Sequence, residues 1–153
     1  MSDGATGGDW IERLGDNSHC VDGYAKQVLR SPRFEPTNGV TTEVAVLKDV
    51  FFEDNDRITK NIRAEADKRK LSKPNAELAC LIREKFTDKE IEAMGLTRIV
   101  VMHEQVNVSD GNPYLLGVHR YGVALPLRLS AYNGGPDAKQ FYGGGFAFAV
   151  SPA

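Results

Sequence analysis

The sequence has few cysteines and no long apolar run. Its 153 residues include two cysteines, Cys20 and Cys80, and neither has another cysteine near it. This spacing excludes a disulfide framework and a C-x-x-C site, and it predicts two reduced thiols. No apolar stretch approaches the about 20 residues that a membrane-spanning helix needs, so the sequence predicts no membrane span.

The chain also lacks a secretory signal and a strong net charge. Its first ten residues, MSDGATGGDW, carry acidic residues and glycines where a signal peptide carries basic residues followed by an apolar run. The sequence therefore predicts a cytoplasmic protein with a flexible segment over residues 1–9. A net charge of −2 removes the general attraction that gives most nucleic-acid-binding proteins their affinity. Residues 10–153 have the length and composition of one α+β or similar globular domain.

Helical patterns occupy most of the first two-thirds of the chain. Apolar residues recur there at spacings of three and four, and proline or glycine interrupts the pattern at several points. The predicted elements are two short helices over residues 10–30, a strand with a helical alternative over 42–52, and helices over 57–71, 75–86 and 88–94.

Beyond Leu96 the pattern becomes β and stays so. Two β-prone runs flank the turn residues SDGNP, which is typical of a hairpin. The run VALPLRLSA alternates, and its Pro126 favours an edge strand or a bulge. Glycines 143–145 form a hinge or bulge before the final alternating run FAFAV. Helices followed by strands predict an α+β fold, with N-terminal helices packed on a C-terminal antiparallel sheet.

The stretch TDKEIEAMGLTRIVVMHEQ, residues 87–105, begins like a helix-turn-helix motif. A recognition helix after Leu96 needs an apolar residue at about every third or fourth position. Residues 99–102 are instead four consecutive apolar residues, and Glu104 stands where the partner helix needs an apolar side chain. The pattern therefore favours a strand over a DNA-reading helix.

Strand parity brings two charged residues to one apolar face. If the hairpin keeps its apolar sides together, Glu104 faces Val118 and Met102 faces Arg120, so that Glu104 and Arg120 are diagonal neighbours. Such charges need to pair with each other, with other protein groups or with a ligand. A polar pocket there would let Glu104 act as a general base, whereas a partly exposed structural ion pair is the simpler alternative. The candidate ligand-binding residues are Glu104, Arg120, His119 and Tyr121.

Residues 57–73, RITKNIRAEADKRKLSK, carry seven positive and two negative side chains. Such a helix face can contact phosphates, although charge-rich helices are more often solvated surface. The run contains no aromatic residue to stack on a base. The candidate residues of this nucleic-acid alternative are Lys60, Arg63, Lys68, Arg69 and Lys70.

No metal or phosphate motif is complete. The dipeptide His103–Glu104 lacks the second histidine of the zinc-protease motif, and the other histidines and cysteines have no chelating spacing. The glycines at 143–145 precede a strand and so lack the helix N-terminus that binds phosphate in glycine-rich loops. No metal site or cofactor is predicted.

The segments NAELACLIREKF, MHEQVNVSDGNPYLLGVHRYG and GFAFAVS resemble small orphan proteins encoded by integron (mobile) gene cassettes. The resemblance covers roughly the last two-thirds of the chain and implies an origin, but no activity. From the residues themselves we expect a module that binds a small molecule or a protein without catalysis. Ala147 and Ala149 are small positions that can accept a partner, and a homodimer through the sheet is expected. The alternatives are an enzyme using Glu104 with Arg120, and a nucleic-acid-binding protein.

Overall fold

The structure is a computed structural model that describes residues 1–120, 126–140 and 143–150. None of the described helices is long and apolar enough to cross a membrane. The elements are, in chain order, α1 (Gly7–Asp16), α2 (Gly23–Arg30), β1 (Val44–Lys48), a 3₁₀ turn (Asp49–Phe51), α3 (Thr59–Lys68), β2 (Leu71–Ser72), α4 (Glu77–Lys85), α5 (Asp88–Ala93), β3 (Arg98–Val101), β4 (Val106–Asn107), β5 (Pro113–His119), β6 (Arg128–Asn133) and β7 (Gly144–Val150).

The strands form one sheet, in which β7 lies between β1 and β3. It pairs antiparallel with β1 and parallel with β3, and β5 pairs antiparallel with β3 and β6. The short strands β2 and β4 add to the ladders of β7 and β5. The predicted α+β fold is confirmed, with most helices before most strands. Among the described strands, the β3–β7 pair is the parallel exception to the expected antiparallel order.

Helices cover both faces of this sheet. On the first face, Ile99 and Val101 of β3 pack with buried residues of α1, α2, α4 and α5. On the second face, Val100 packs with Ile62 and Ala66 of α3. The alternation of β3 therefore divides the core into two clusters, because successive side chains of a strand point to opposite faces.

A capping box and a glycine produce the transition from α5 to β3. The Thr87 hydroxyl accepts a hydrogen bond from the Glu90 amide, and the Glu90 carboxylate accepts one from the Thr87 amide, each at 3.1 Å. The chain leaves the helix at Gly95, whose φ of +79° is strained for other residues. Leu96 is then buried and β3 begins at Arg98. The predicted strand, and not a recognition helix, follows Gly95.

Residues near the N-terminus contact the rest of the domain, and the flexibility that the sequence predicts for residues 1–9 stays a prediction. Ser2 is buried, and its amide donates to the Val40 carbonyl at 2.8 Å. Helix α1 already begins at Gly7, capped by the Thr6 side chain. A Cβ atom at Gly7 would lie 1.6 Å from the Leu29 carbonyl oxygen, so the close approach of α1 to α2 requires glycine there.

The predicted register of the hairpin is wrong. Val118 lies opposite Ile99 and not Glu104, and the pairing resumes where Val106 lies opposite Tyr114. Between these two ladders, residues 101–105 stand across from only residues 115–116 of β5. Residues 102–105, called the bulge below, therefore leave the ladder. The amide of Met102 donates to Ala147 of β7 at 3.0 Å, which draws the chain away from β5 at this point.

Candidate functional site

A buried histidine and a half-buried arginine hold the bulge in place. The Leu116 amide, which has no strand partner here, donates to Nε2 of His103 at 2.9 Å. Because Nε2 accepts this bond, Nδ1 carries the proton and donates to the Glu104 carbonyl at 2.6 Å. The Arg63 guanidinium donates to the carbonyls of Met102 and His103 at 2.8 and 2.7 Å. The histidine and the arginine together replace the missing ladder bonds.

Glu104, the predicted general base, projects from the bulge with 70% of its side chain exposed. Its carboxylate accepts a hydrogen bond from Nζ of Lys73 at 2.6 Å, and this contact lowers its pKa. A general base at neutral pH needs a raised pKa, so the geometry does not favour that role. The simpler alternative, a surface ion pair, describes Glu104, although its partner is Lys73 and not Arg120.

The other predicted ligand-binding residues that the structure describes make their contacts with residues other than Glu104. Arg120 pairs with Glu92 of α5 at 3.6 Å. His119 is half-buried on the second face, edge-on to the Tyr132 ring with 6.2 Å between ring centroids, and burial lowers its pKa. Tyr121 lies outside the described residues. The predicted pair of Glu104 with Arg120 is therefore not formed.

A row of basic side chains crosses the second face at His119. This residue lies directly opposite Arg98 of β3 and Arg128 of β6. Asp22 accepts hydrogen bonds from Nε of Arg128 at 2.8 Å and from the Ser130 hydroxyl at 2.6 Å. The arrangement ties the chain before α2 to the outer strand β6. The strand register brings these residues together, and the sequence pattern does not show that register. The sequence therefore did not reveal this arrangement.

The basic helix uses several of its charges within the fold. Lys60 pairs with Asp137 at 2.9 Å, and Arg69 pairs with Glu65 at 3.0 Å. Arg63 is turned toward the sheet, where it holds the bulge. Lys68 and Lys70 are exposed. These contacts leave fewer basic side chains of the helix available to bind phosphates. Nucleic-acid binding stays a prediction.

An apolar groove lies on the first face between β1, the helix α4 and Met94, which directly follows α5. Its volume is about 420 Å³. Val44 and Val46 of β1 form one wall and Leu81 of α4 forms part of the other. We call this feature the groove. Its lining residues are Met1, Val40, Thr41, Thr42, Val44, Val46, Leu78, Leu81, Ile82, Lys85, Phe86, Met94 and Ile99.

Small side chains on β7 explain why the groove exists. On the first face β7 presents Gly145, Ala147 and Ala149, which alternate with phenylalanines on the second face. A Cβ atom at Gly145 would lie 2.5 Å from Cγ1 of Val46. Val46 can therefore lean over the β7 backbone, but it remains half-buried, because no larger side chain of β7 reaches it. The two alanines were recognised in the sequence as small positions, whereas the walls of the groove were not.

The electrostatics of the groove depend on Lys85. It lies in the last turn of α4 and is the one charged side chain among the described lining residues. Threonines 41 and 42 add hydroxyl groups at the end of the groove nearest β1. The groove therefore offers an apolar interior with a few polar groups, which is the usual composition of a small-molecule site.

Metal ligands do not converge anywhere in the described part of the chain: no group of three or more histidine, cysteine, aspartate or glutamate side chains could hold an ion. Cys20 is exposed, whereas Cys80 is buried, and burial raises the pKa of its thiol. The fold and the groove define an α+β protein with a concave apolar site. Comparisons with protein-family models, curated proteins and solved structures found no match. The function is therefore inferred from the chemistry of the groove.

The substitution Arg63→Met tests the role of Arg63 at the bulge. Methionine keeps the apolar stem but leaves the carbonyls of Met102 and His103 without donors, so we expect the free energy of unfolding to fall by about 3 kcal/mol. The matched control is Arg69→Met, which removes an exposed ion pair and a ring contact, and we expect it to cost less than about 1 kcal/mol. Urea denaturation followed by circular dichroism measures both. Equal losses would contradict the assigned role.

The buried His103 makes stability depend on pH. Burial lowers its pKa from 6.5 to about 4, so the unfolded chain binds a proton at a higher pH than the folded chain does. The stability that the neutral His103 ring contributes is complete above pH 6.5 and is lost as the pH falls toward 4. At pH 5 this loss lowers the free energy of unfolding by about 2 kcal/mol. Other groups also titrate, so unfolding of His103→Gln is measured at pH 7 and pH 5 beside the wild type. We expect a smaller loss in the variant, and an identical loss would refute the assignment.

Proposed function

We propose that the protein is a binding module that holds a small, mainly apolar molecule in the groove. The observation that carries this proposal is the groove itself, whose volume of about 420 Å³ lies within the range of small-molecule pockets. Apolar side chains from β1, β3 and α4, and Met94 directly after α5, contribute to its walls. The prediction of a cytoplasmic location rests on the sequence alone and stays a prediction.

Burial of apolar surface supplies the driving force for such binding. Three apolar side chains of the lining, Met1, Val40 and Phe86, are 72%, 47% and 40% exposed. Each ångström squared of apolar surface removed from water contributes roughly 25 cal/mol. A ligand that covers these side chains together with Val46 and Leu81 therefore gains affinity without any rearrangement of the fold. Contiguous exposed apolar surface of this kind is typical of binding sites.

The chemistry of the lining favours binding over catalysis. The described lining residues include no histidine, cysteine or carboxylate, which are the usual groups of acid–base and nucleophilic catalysis. The enzymatic alternative relied on Glu104 with Arg120, and these residues pair with Lys73 and Glu92 instead. A binding role needs only the concave apolar surface and a polar group to orient the ligand.

The free edge of β1 supports the predicted homodimer. At the other end of the sheet, Cys20 and Asp22 exchange backbone hydrogen bonds with Leu129 of β6. Along β1, the Glu43 carbonyl accepts a hydrogen bond from the Val150 amide of β7. Because hydrogen bonding alternates along an antiparallel strand, residues 43, 45 and 47 bond to β7, and the amide of Lys48 points outward. No other described strand covers that edge. An uncovered edge strand is a ready surface for pairing with a second copy.

The substitution Val46→Phe tests the groove. A phenyl ring at this position occupies the space beside Leu81, so we expect the binding of a neutral fluorescent probe, N-phenyl-1-naphthylamine, to weaken at least about tenfold. Fluorescence titration of the wild type and the variant measures this change, and thermal melting verifies the fold.

The matched control for this experiment is Val50→Phe. Val50 is 76% exposed and lies outside the groove lining, so the same change of side chain should leave probe affinity unaltered. The proposal is rejected when the wild type does not bind the probe, or when both variants bind it as the wild type does.

The substitution Lys48→Pro tests the dimer. The φ of Lys48 is −78°, which proline adopts readily, and its amide is not needed by β7. We therefore expect the variant to fold normally but to lose edge-to-edge pairing. Light scattering after size-exclusion chromatography should give the mass of two chains for the wild type and of one chain for Lys48→Pro. A monomeric wild type would end the dimer prediction without affecting the groove.

A further inference from the structure

We propose that the ligand of the groove is an amphiphile whose anionic headgroup binds Lys85, as a medium-chain carboxylate would. This inference rests on the proposed function, since it names the chemical class of molecule that the same groove holds. The carrying observation is the placement of one exposed lysine in a lining whose other side chains are uncharged and mainly apolar. An apolar chain and a single negative charge complement that arrangement.

The position of Lys85 suits this contact. The residue is exposed and lies in the last turn of α4, directly before Phe86, which also lines the groove. Long lysine side chains pack their methylene groups along apolar surface and keep the ammonium group in water. The ammonium group of Lys85 therefore lies at the water-facing border of the apolar surface. A headgroup can be bound there without being buried.

The neighbouring acidic residues are engaged elsewhere. Glu84 pairs with Arg13 at 3.1 Å, and Asp88 pairs with Arg83 at 2.8 Å. Lys85 itself takes part in none of the ion pairs formed within the described ranges 1–120, 126–140 and 143–150. Its positive charge is thus not neutralised by an ion pair within those ranges.

The polar groups at the opposite wall fit the same ligand class. Thr41 and Thr42 line the groove just before β1 and supply hydroxyl groups. Hydroxyls can donate to an anionic oxygen, and a hydrogen bond to an ionised acceptor is stronger than one between neutral groups. Glu43 follows them and is not among the described lining residues. The described lining therefore offers an anionic ligand one lysine side chain and two threonines, and no carboxylate side chain.

The test compares octanoate, octanol and octylamine, which share one chain length and differ in headgroup. Isothermal calorimetry at low salt should show octanoate binding the wild type about fivefold more tightly than octanol, and octylamine more weakly than either. Lys85→Met should bring octanoate to the affinity of octanol and leave octanol unchanged. The control Lys89→Met, on an exposed lysine outside the lining, should keep the preference. Lys85→Gln is the second variant, should methionine at this position impair folding.

The outcomes separate this inference from the proposed function. When octanoate and octanol bind the wild type equally, or Lys85→Met keeps the preference, the headgroup inference is overturned while the groove remains a binding site. When none of the three molecules binds and the neutral naphthylamine probe does not bind either, the proposed function fails, and the inference fails with it. Loss of the octanoate preference at high salt would agree with an ion pair at an exposed lysine.

Discussion

The insertion of β7 between β1 and β3 is the constraint on which the rest of the structure depends. Its side chains alternate between Phe146 and Phe148 on the second face and Gly145 and Ala147 on the first. The phenylalanines form the apolar surface on which α3 packs, whereas the small residues let neighbouring side chains approach the backbone. A strand that is buried on both faces needs a partner on each edge, and the parallel pairing with β3 supplies the second one.

At the bulge, buried polar groups determine which residues leave the β-sheet. The chain leaves β5 at residues 102–105, and the Leu116 amide would be left without a partner in an apolar interior. His103 accepts that hydrogen bond, and Arg63 donates to two carbonyls of the bulge. Because these contacts are buried or half-buried, they fix the local register. The same geometry sends Glu104 into solvent and separates it from Arg120.

Local signals in the sequence predicted the elements well, whereas long-range contacts decided the site. The Thr87–Glu90 cap, Gly95 and the alternation of β7 act within a few residues, so they are visible in the sequence. The bulge depends on Arg63, which lies about forty positions before His103, and no local pattern indicates that contact. The groove combines apolar residues from β1, β3 and α4. Each of these patterns shows only that a residue is apolar, and not whether another element covers it.

The groove leaves apolar side chains incompletely buried, and the proposed ligand would complete their burial. Val44, Val46 and Leu81 are half-buried around it, and this incomplete burial forgoes part of the hydrophobic stabilisation that a closed core would give. At Gly145 the close approach of Val46 and Leu96 prevents a larger residue, so β7 cannot fill the space from below at that point. A molecule with an apolar chain and a negative charge satisfies both the exposed walls and Lys85 with one contact surface, which is why the packing of β7 and the charge of α4 belong to one functional argument.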